Sequence, residues 1–119
     1  MERSCSAQTL QQLQELRHMV GYIQSHYAEK ITLSQIAASG HVCRSSCCKT
    51  FRGLLHKTPF AFLMDYRLER SMELLCTTTF SVTEIAYMCG FSNTSYYIRM
   101  FSRAFGHTPA RYRALRFLE

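Results

Sequence analysis

Apolar residues in the first quarter of the chain return at steps of three and four: Leu13, Leu16, Val20, Ile23 and Tyr27. That spacing makes a single apolar stripe and predicts a helix over about residues 9–27. Thr9 or Ser6 can cap its start, and Glu29-Lys30 breaks the pattern. Beyond this point the sequence says the same thing twice. Thr32-Leu33-Ser34-Gln35-Ile36-Ala37 parallels Ser81-Val82-Thr83-Glu84-Ile85-Ala86. A short break follows each stretch, at Gly40-His41 and at Cys89-Gly90, then a segment with one aromatic anchor, Phe51 or Phe101. Both copies close on Thr-Pro, at Thr58-Pro59 and Thr108-Pro109.

Each copy predicts a short helix, a tight turn and a longer helix. Thr32 and Ser81 are good N-caps, and Gln35 and Glu84, three residues on, complete a capping box in both. Gly90 suits a helix end that needs positive φ, and Gly40-His41 is a weaker stop of the same kind. Between the copies, residues 59–77 predict one continuous helix. Pro59 fits its first turn, where a missing N–H costs nothing. Leu63, Tyr66, Leu68, Leu74 and Leu75 offer apolar surface to both halves. Asp65, Glu69 and Glu73 stand at four-residue steps, with Arg70 in reach of Glu73. A last short helix starts at Pro109 and carries Arg111, Tyr112, Arg113 and Arg116. The fold class read from this pattern is all-α, two helix-turn-helix units joined by a long linker helix.

Composition narrows the picture. With 119 residues, 47% of them hydrophobic, the chain is one domain or two very small ones and too apolar to be disordered. No apolar run approaches the ~20 residues that span a bilayer. Met1-Glu2-Arg3-Ser4-Cys5 lacks the apolar stretch of a secretory signal, so a cytoplasmic location is expected. Six cysteines are then expected as reduced thiols. The net charge is +6, and residues 91–117 hold five arginines (Arg99, Arg103, Arg111, Arg113 and Arg116) with no Asp or Glu. Such a region attracts a polyanion, nucleic acid being the commonest, unless it is only a solvated face.

Helix-turn-helix units offer their second helix to the major groove, which shows a different donor and acceptor pattern for each base pair. That helix needs an anchored apolar face and a polar reading face. In the second copy Tyr97, Met100, Phe101, Ala104 and Phe105 are expected inward, and Ser95, Tyr96, Arg99, Ser102 and Arg103 outward. Arg99 is the strongest base reader, because guanidinium pairs bidentately with guanine. Asn93 and Thr94, where this helix begins, can reach bases or phosphate. In the first copy Cys47, Phe51, Leu54 and Leu55 are expected inward, and Arg44, Ser45, Cys48, Lys49 and Arg52 outward. Lys49 and Arg52 are expected to serve affinity more than sequence choice. A linker helix of roughly 28 Å, at ~1.5 Å per residue, is close to the ~34 Å between successive major-groove faces. One chain would then address two successive grooves.

These residues resemble a known family, the DNA-binding domain of the AraC/XylS transcription regulators. The second copy carries the most specific pattern: Ile85-Ala86, Gly90-Phe91-Ser92, Ser95-Tyr96-Tyr97, Arg99, Phe101, Phe105-Gly106, Thr108-Pro109 and Tyr112-Arg113. The linker matches through Phe62-Leu63, Tyr66-Arg67-Leu68 and Leu74-Leu75, and the likeness covers about residues 20–113. It implies a bacterial regulator of seven helices in two homeodomain-like subdomains, with the third and sixth helices reading DNA. The domain is expected over residues 8–118: a first subdomain at 8–57, the linker helix at 59–77, a second subdomain at 78–118, and a flexible arm at 1–7. The contacting positions implied are Ser45, Cys48, Lys49 and Arg52 in the first copy and Thr94, Ser95, Tyr96 and Arg99 in the second. The resemblance also implies an activator that recruits RNA polymerase. Many relatives carry an N-terminal effector-binding or dimerisation half, for which this chain has no room; it is expected to be a stand-alone member or a C-terminal fragment. Two departures stand out: His41 where the family's first turn has Gly, and the small, thiol-rich run Ser45-Ser46-Cys47-Cys48.

Two other classes compete. Cys43, Cys47 and Cys48, with His41 before them, suggest a thiol- or metal-responsive module. Yet Cys47 falls at an anchored position and no second cluster completes a zinc site. A basic helical module that binds an acidic protein is the other. No catalytic residue, metal or cofactor is expected: Gly-rich phosphate loops, HExxH and GxSxG are absent, and His18, His26, His56 and His107 are scattered without paired carboxylates.

Overall fold

The computed structural model describes the backbone of residues 2–118 and the side chains of residues 8–116. Among the described residues there are seven α-helices and no strand: α1 (Glu2–His26), α2 (Leu33–Ser39), α3 (Arg44–Leu55), α4 (Pro59–Thr77), α5 (Val82–Met88), α6 (Thr94–Phe105) and α7 (Pro109–Leu118). They form two compact units. The first holds residues up to His26 with Ile31–Leu63; the second holds Tyr27–Lys30 with residues from Met64 onward. The linker helix is therefore no separate segment: residues 59–63 of α4 belong to the first unit and residues 64–77 to the second.

Local signals set most of the helix ends. Thr32 Oγ1 accepts from the Gln35 N–H at 3.2 Å while Gln35 Oε1 accepts from the Thr32 N–H at 2.9 Å. Ser81 and Glu84 repeat the exchange at 3.0 and 2.8 Å. The Thr-Pro pairs are caps as well: Thr58 Oγ1 accepts from Ala61 N–H at 3.0 Å, and Thr108 Oγ1 from Arg111 N–H at 3.2 Å. Each proline follows as the first helical residue, where the absent N–H leaves no orphan donor. Arg70 pairs with Glu73 along α4 and lies over the Tyr66 ring.

α1 departs from expectation at its start. It begins at Glu2, so positions 6 and 9 fall inside the helix and not at its N-cap. No Gly or Pro interrupts residues 2–8, and propensity carries the helix on. Met1 and the side chains of residues 2–7 lie outside the described residues, and the expected flexible arm at 1–7 falls there. The buried stripe of α1 is Leu16, Met19 and Ile23, with Val20 at its margin. Leu13, expected in the stripe, is 44% exposed, and Met19 takes the central buried place.

The first unit packs that stripe against Ile36 and Ala37 of α2 and Cys47, Thr50 and Phe51 of α3. Gly40 is the C-cap of α2 and also a contact residue, but not the left-handed one: its φ is −99°, and a Cβ there would lie 2.7 Å from Met19 Cγ. The left-handed residue is His41, at φ 60°, and His56 at the C-cap of α3 takes φ 61°. The second unit fills the matching places with Gly90 and Gly106, at φ 95° and 83°. A left-handed non-glycine residue costs about 1–2 kcal/mol, and glycine gives back about 0.5–1 kcal/mol through its freer unfolded chain. His41→Gly or His56→Gly is therefore expected to raise unfolding stability by about 0.5 kcal/mol. Urea titration checks this, and a loss would mean that the imidazole makes a contact worth more than the strain.

The second unit buries Met64, Leu68 and Leu75 of α4 with Ile85, Ala86, Cys89, Phe91, Tyr97 and Phe101. Two arginines are built into it. Arg67, only 7% exposed, donates from Nε to Tyr27 O at 2.7 Å and from Nη2 to Glu29 O at 2.8 Å. Arg113 donates to the carbonyls of Leu75 and Thr78 at 3.0 and 3.1 Å, tying down the end of α4.

Candidate nucleic-acid interface

α3 is held by its own apolar side. Cys47 and Phe51 are fully buried, Leu54 and Leu55 half-buried, and Thr50, not foreseen as a core position, is buried with them. The opposite side carries Ser45, Lys49 and Arg52, exposed and returning at four- and three-residue steps, with exposed Arg44 next to Ser45. Cys48, placed outward by the sequence, is half-buried. It lines an apolar hollow of about 310 Å³ with Leu33, Ile36, Pro59 and Leu63, so its thiol is turned partly away from that exposed side.

α6 is more sharply two-sided. Tyr97 and Phe101 are fully buried, with Met100 and Phe105 half-buried beside them. Ala104, expected inward, is exposed: it fits the helical repeat, seven residues after Tyr97, but its methyl group is too short to reach cover. Ser95, Arg99 and Arg103 are exposed, while Thr94, Tyr96 and Ser102 are half-buried. Asn93 is exposed and its Oδ1 caps the helix by accepting from Tyr96 N–H at 2.8 Å, leaving its amide nitrogen as the group able to donate outward. Ser102, placed outward, donates its hydroxyl to Ile98 O at 2.8 Å and so is occupied within the helix.

Neither α3 nor α6 contains an acidic residue. Five cations, Arg44, Lys49, Arg52, Arg99 and Arg103, are thus exposed on helices with no intrahelical carboxylate to neutralise them. The count of five arginines in residues 91–117 overstates the free charge, since Arg113 is committed to backbone carbonyls. Only its place near the end of the likeness hints at this role, because the carbonyls Arg113 meets lie 35 and 38 residues away in the chain.

The three neighbouring thiols stand in different environments. Cys47 is buried, and burial pushes it up to about 11. Cys43 is exposed at the N-cap of α3, its sulfur 3.4 and 3.5 Å from the Ser45 and Ser46 hydroxyls. Those hydroxyl contacts, Ser45 first, hold it down to about 6, which favours its thiolate over the thiols of Cys47 and Cys89. Iodoacetamide at pH 7 is expected to label Cys43 before Cys47 or Cys89, with the rate falling below about pH 6; peptide mass spectrometry checks the order. Labelling of Cys47 first would overturn this account of the thiols. Among the described residues no group of three His, Cys, Asp or Glu side chains is placed to hold a metal ion, and no helix is long and apolar enough to cross a membrane.

Comparison with known proteins agrees with this geometry. Residues 36–115, more than half of the chain, match the family described as a helix-turn-helix domain. The HTH-type transcriptional regulator YdeC of Bacillus subtilis is 43% identical over 100 residues, covering 84% of this chain and 34% of its own length. The xylose operon regulatory protein of Escherichia coli is 33% identical over 92 residues, 77% of this chain and 24% of its own. The chain thus spans about a third or less of these relatives. Among solved structures, the AraC-type transcriptional regulator of Chromobacterium violaceum superimposes with a TM-score of 0.82 at 27% identity, over 86% of this chain and 91% of that one. The DNA-binding domain of the global transcriptional factor AdpA, solved in complex with a target DNA, gives 0.80 at 31% identity, over 84% and 90%. The chain belongs to the AraC/XylS family of transcription regulators and carries its helix-turn-helix DNA-binding region.

Proposed function

We propose that this chain binds double-stranded DNA in a sequence-specific manner in the cytoplasm and activates transcription by recruiting RNA polymerase, without catalytic activity of its own. Each unit lays its second helix, α3 or α6, in a major groove, and the two address successive grooves. The observation that carries this is the division of both helices. A fully buried aromatic anchor, Phe51 or Phe101, fixes one side, and the other is exposed, cationic and free of carboxylates. A solved relative of the same fold, AdpA, is bound to its target DNA.

The roles divide by chemistry. Arg99 reads a base edge; Arg103, Arg44, Lys49 and Arg52 hold phosphates; Ser45, Asn93, Thr94, Ser95 and Tyr96 line the approach, and Cys48 contributes least. Selection of duplexes from a random pool is expected to return a site long enough for two grooves. Arg99→Ala is expected to cost about 1–3 kcal/mol on that site and to relax preference at one base pair. Equal loss on every duplex would make Arg99 a phosphate contact. Affinity should fall steeply with salt, with a slope near ~0.9 for each neutralised phosphate; a flat response would remove DNA as the partner.

A further inference from the structure

Tyr96 occupies an unusual place for a residue on a reading helix. Its ring is half-buried against Phe91, with centroids 6.4 Å apart, and Phe91 itself is only 3% exposed. One turn on, the Arg99 guanidinium carbon sits 5.7 Å from the centre of the Tyr96 ring. Arg99 is exposed and has no carboxylate on its helix to hold it. The tyrosine ring is thus a rigid shelf, fixed from behind by a core phenylalanine, on which a long cationic side chain rests.

The first unit lacks this device. Aligned on the anchors Phe51 and Phe101, the place of Arg99 holds Lys49 and that of Tyr96 holds Ser46. Ser46 is exposed, and its hydroxyl is engaged with the Cys43 sulfur. Lysine is a point charge on a flexible stem, whereas a guanidinium fixed in plane pairs with one base edge.

We propose that Tyr96 is the positioning residue that makes Arg99 a base reader, and that base discrimination is therefore concentrated in the second unit. A guanidinium held over an aromatic face loses fewer rotamers on binding, and at an exposed site the contact is worth about two- to fivefold. The inference rests on the reading of Arg99 as a base contact.

The test uses the whole chain. The base pair at which Arg99→Ala loses preference is found first, and four duplexes differing only there are prepared. Tyr96→Phe is expected to discriminate among them as the parent does, because the ring remains. Tyr96→Leu should lose about two- to fivefold of discrimination with its salt slope unchanged. Ser46→Tyr with Lys49→Arg should gain a preference at the matching position of the first unit's half-site, which keeps the idea testable if Tyr96→Leu does not fold. Should Tyr96→Phe lose as much as Tyr96→Leu, the hydroxyl contacts DNA and the shelf is wrong. Should Tyr96→Leu discriminate like the parent while Arg99→Ala does not, Arg99 reads without help and the proposal fails alone. Uniform loss by Arg99→Ala on all four duplexes would overturn the base-reading role beneath it.

Discussion

Gly90→Ala is expected to lower the unfolding free energy by about 2.5–4 kcal/mol, a large share of the roughly 5–15 kcal/mol that keeps a small domain folded. Two costs combine. The residue sits at φ 95°, in the region that L side chains rarely adopt, which contributes about 1 kcal/mol. The added methyl would also lie 2.6 Å from Tyr27 O and 2.7 Å from Arg67 Nε. Those atoms are the acceptor and donor of the 2.7 Å hydrogen bond that ties buried Arg67 to the turn at Tyr27–Lys30. Neither can retreat easily, since one is backbone and the other belongs to a buried guanidinium. A strained charge-assisted bond there adds about 1.5–3 kcal/mol. Gly106 is the internal control: its φ of 83° is similar, yet nothing lies within 4 Å of its would-be Cβ. Gly106→Ala should therefore cost only about 1 kcal/mol. Urea unfolding of the two variants separates strain from collision, and equal losses would show that the Arg67 contact does not matter.

Phe101→Ala should cost about 3–5 kcal/mol, the range for a buried aromatic cut to a methyl group. Phe101 is fully buried and its ring meets Tyr97, Phe105 and Tyr112 at centroid distances of 5.8, 4.6 and 5.7 Å. Removing it takes the common partner from three aromatic rings that between them fix α6 and α7. DNA binding should fall in the same proportion as the folded fraction, because the side chain is inside and touches no ligand. Phe60→Ala is the contrast. At 60% exposure it should cost about 0.5 kcal/mol or less. Denaturant midpoints decide the matter: a loss below about 1 kcal/mol for Phe101→Ala would mean that α6 has a different anchor.

Most helix limits and most inward-facing residues were legible without coordinates, because both are local. A capping box joins residues three apart, Thr-Pro fixes a cap and a first turn, and an apolar stripe follows from the helical repeat alone. Residues such as Cys47, Phe51, Tyr97 and Phe101 were found inside for that reason. The misses have a shared cause. Leu13 and Ala104 fit the local periodicity but lie where no other element covers them, while Met19 and Thr50 lie where one does.

The amino-acid order by itself determined the seven-helix, all-α architecture, the twofold repetition, the family and the cationic sides of α3 and α6. Only the tertiary structure decided which residue of the first turn is left-handed and which a contact, placing His41 in the left-handed region and Gly40 against Met19. It alone withdrew Arg113 and Arg67 from the pool of available charge, turned Cys48 toward an apolar hollow, and set Arg99 on Tyr96. The reason is one of range. Periodicity and caps are written in neighbouring residues, whereas burial, backbone acceptors and the rings behind a side chain come from residues that become neighbours only on folding.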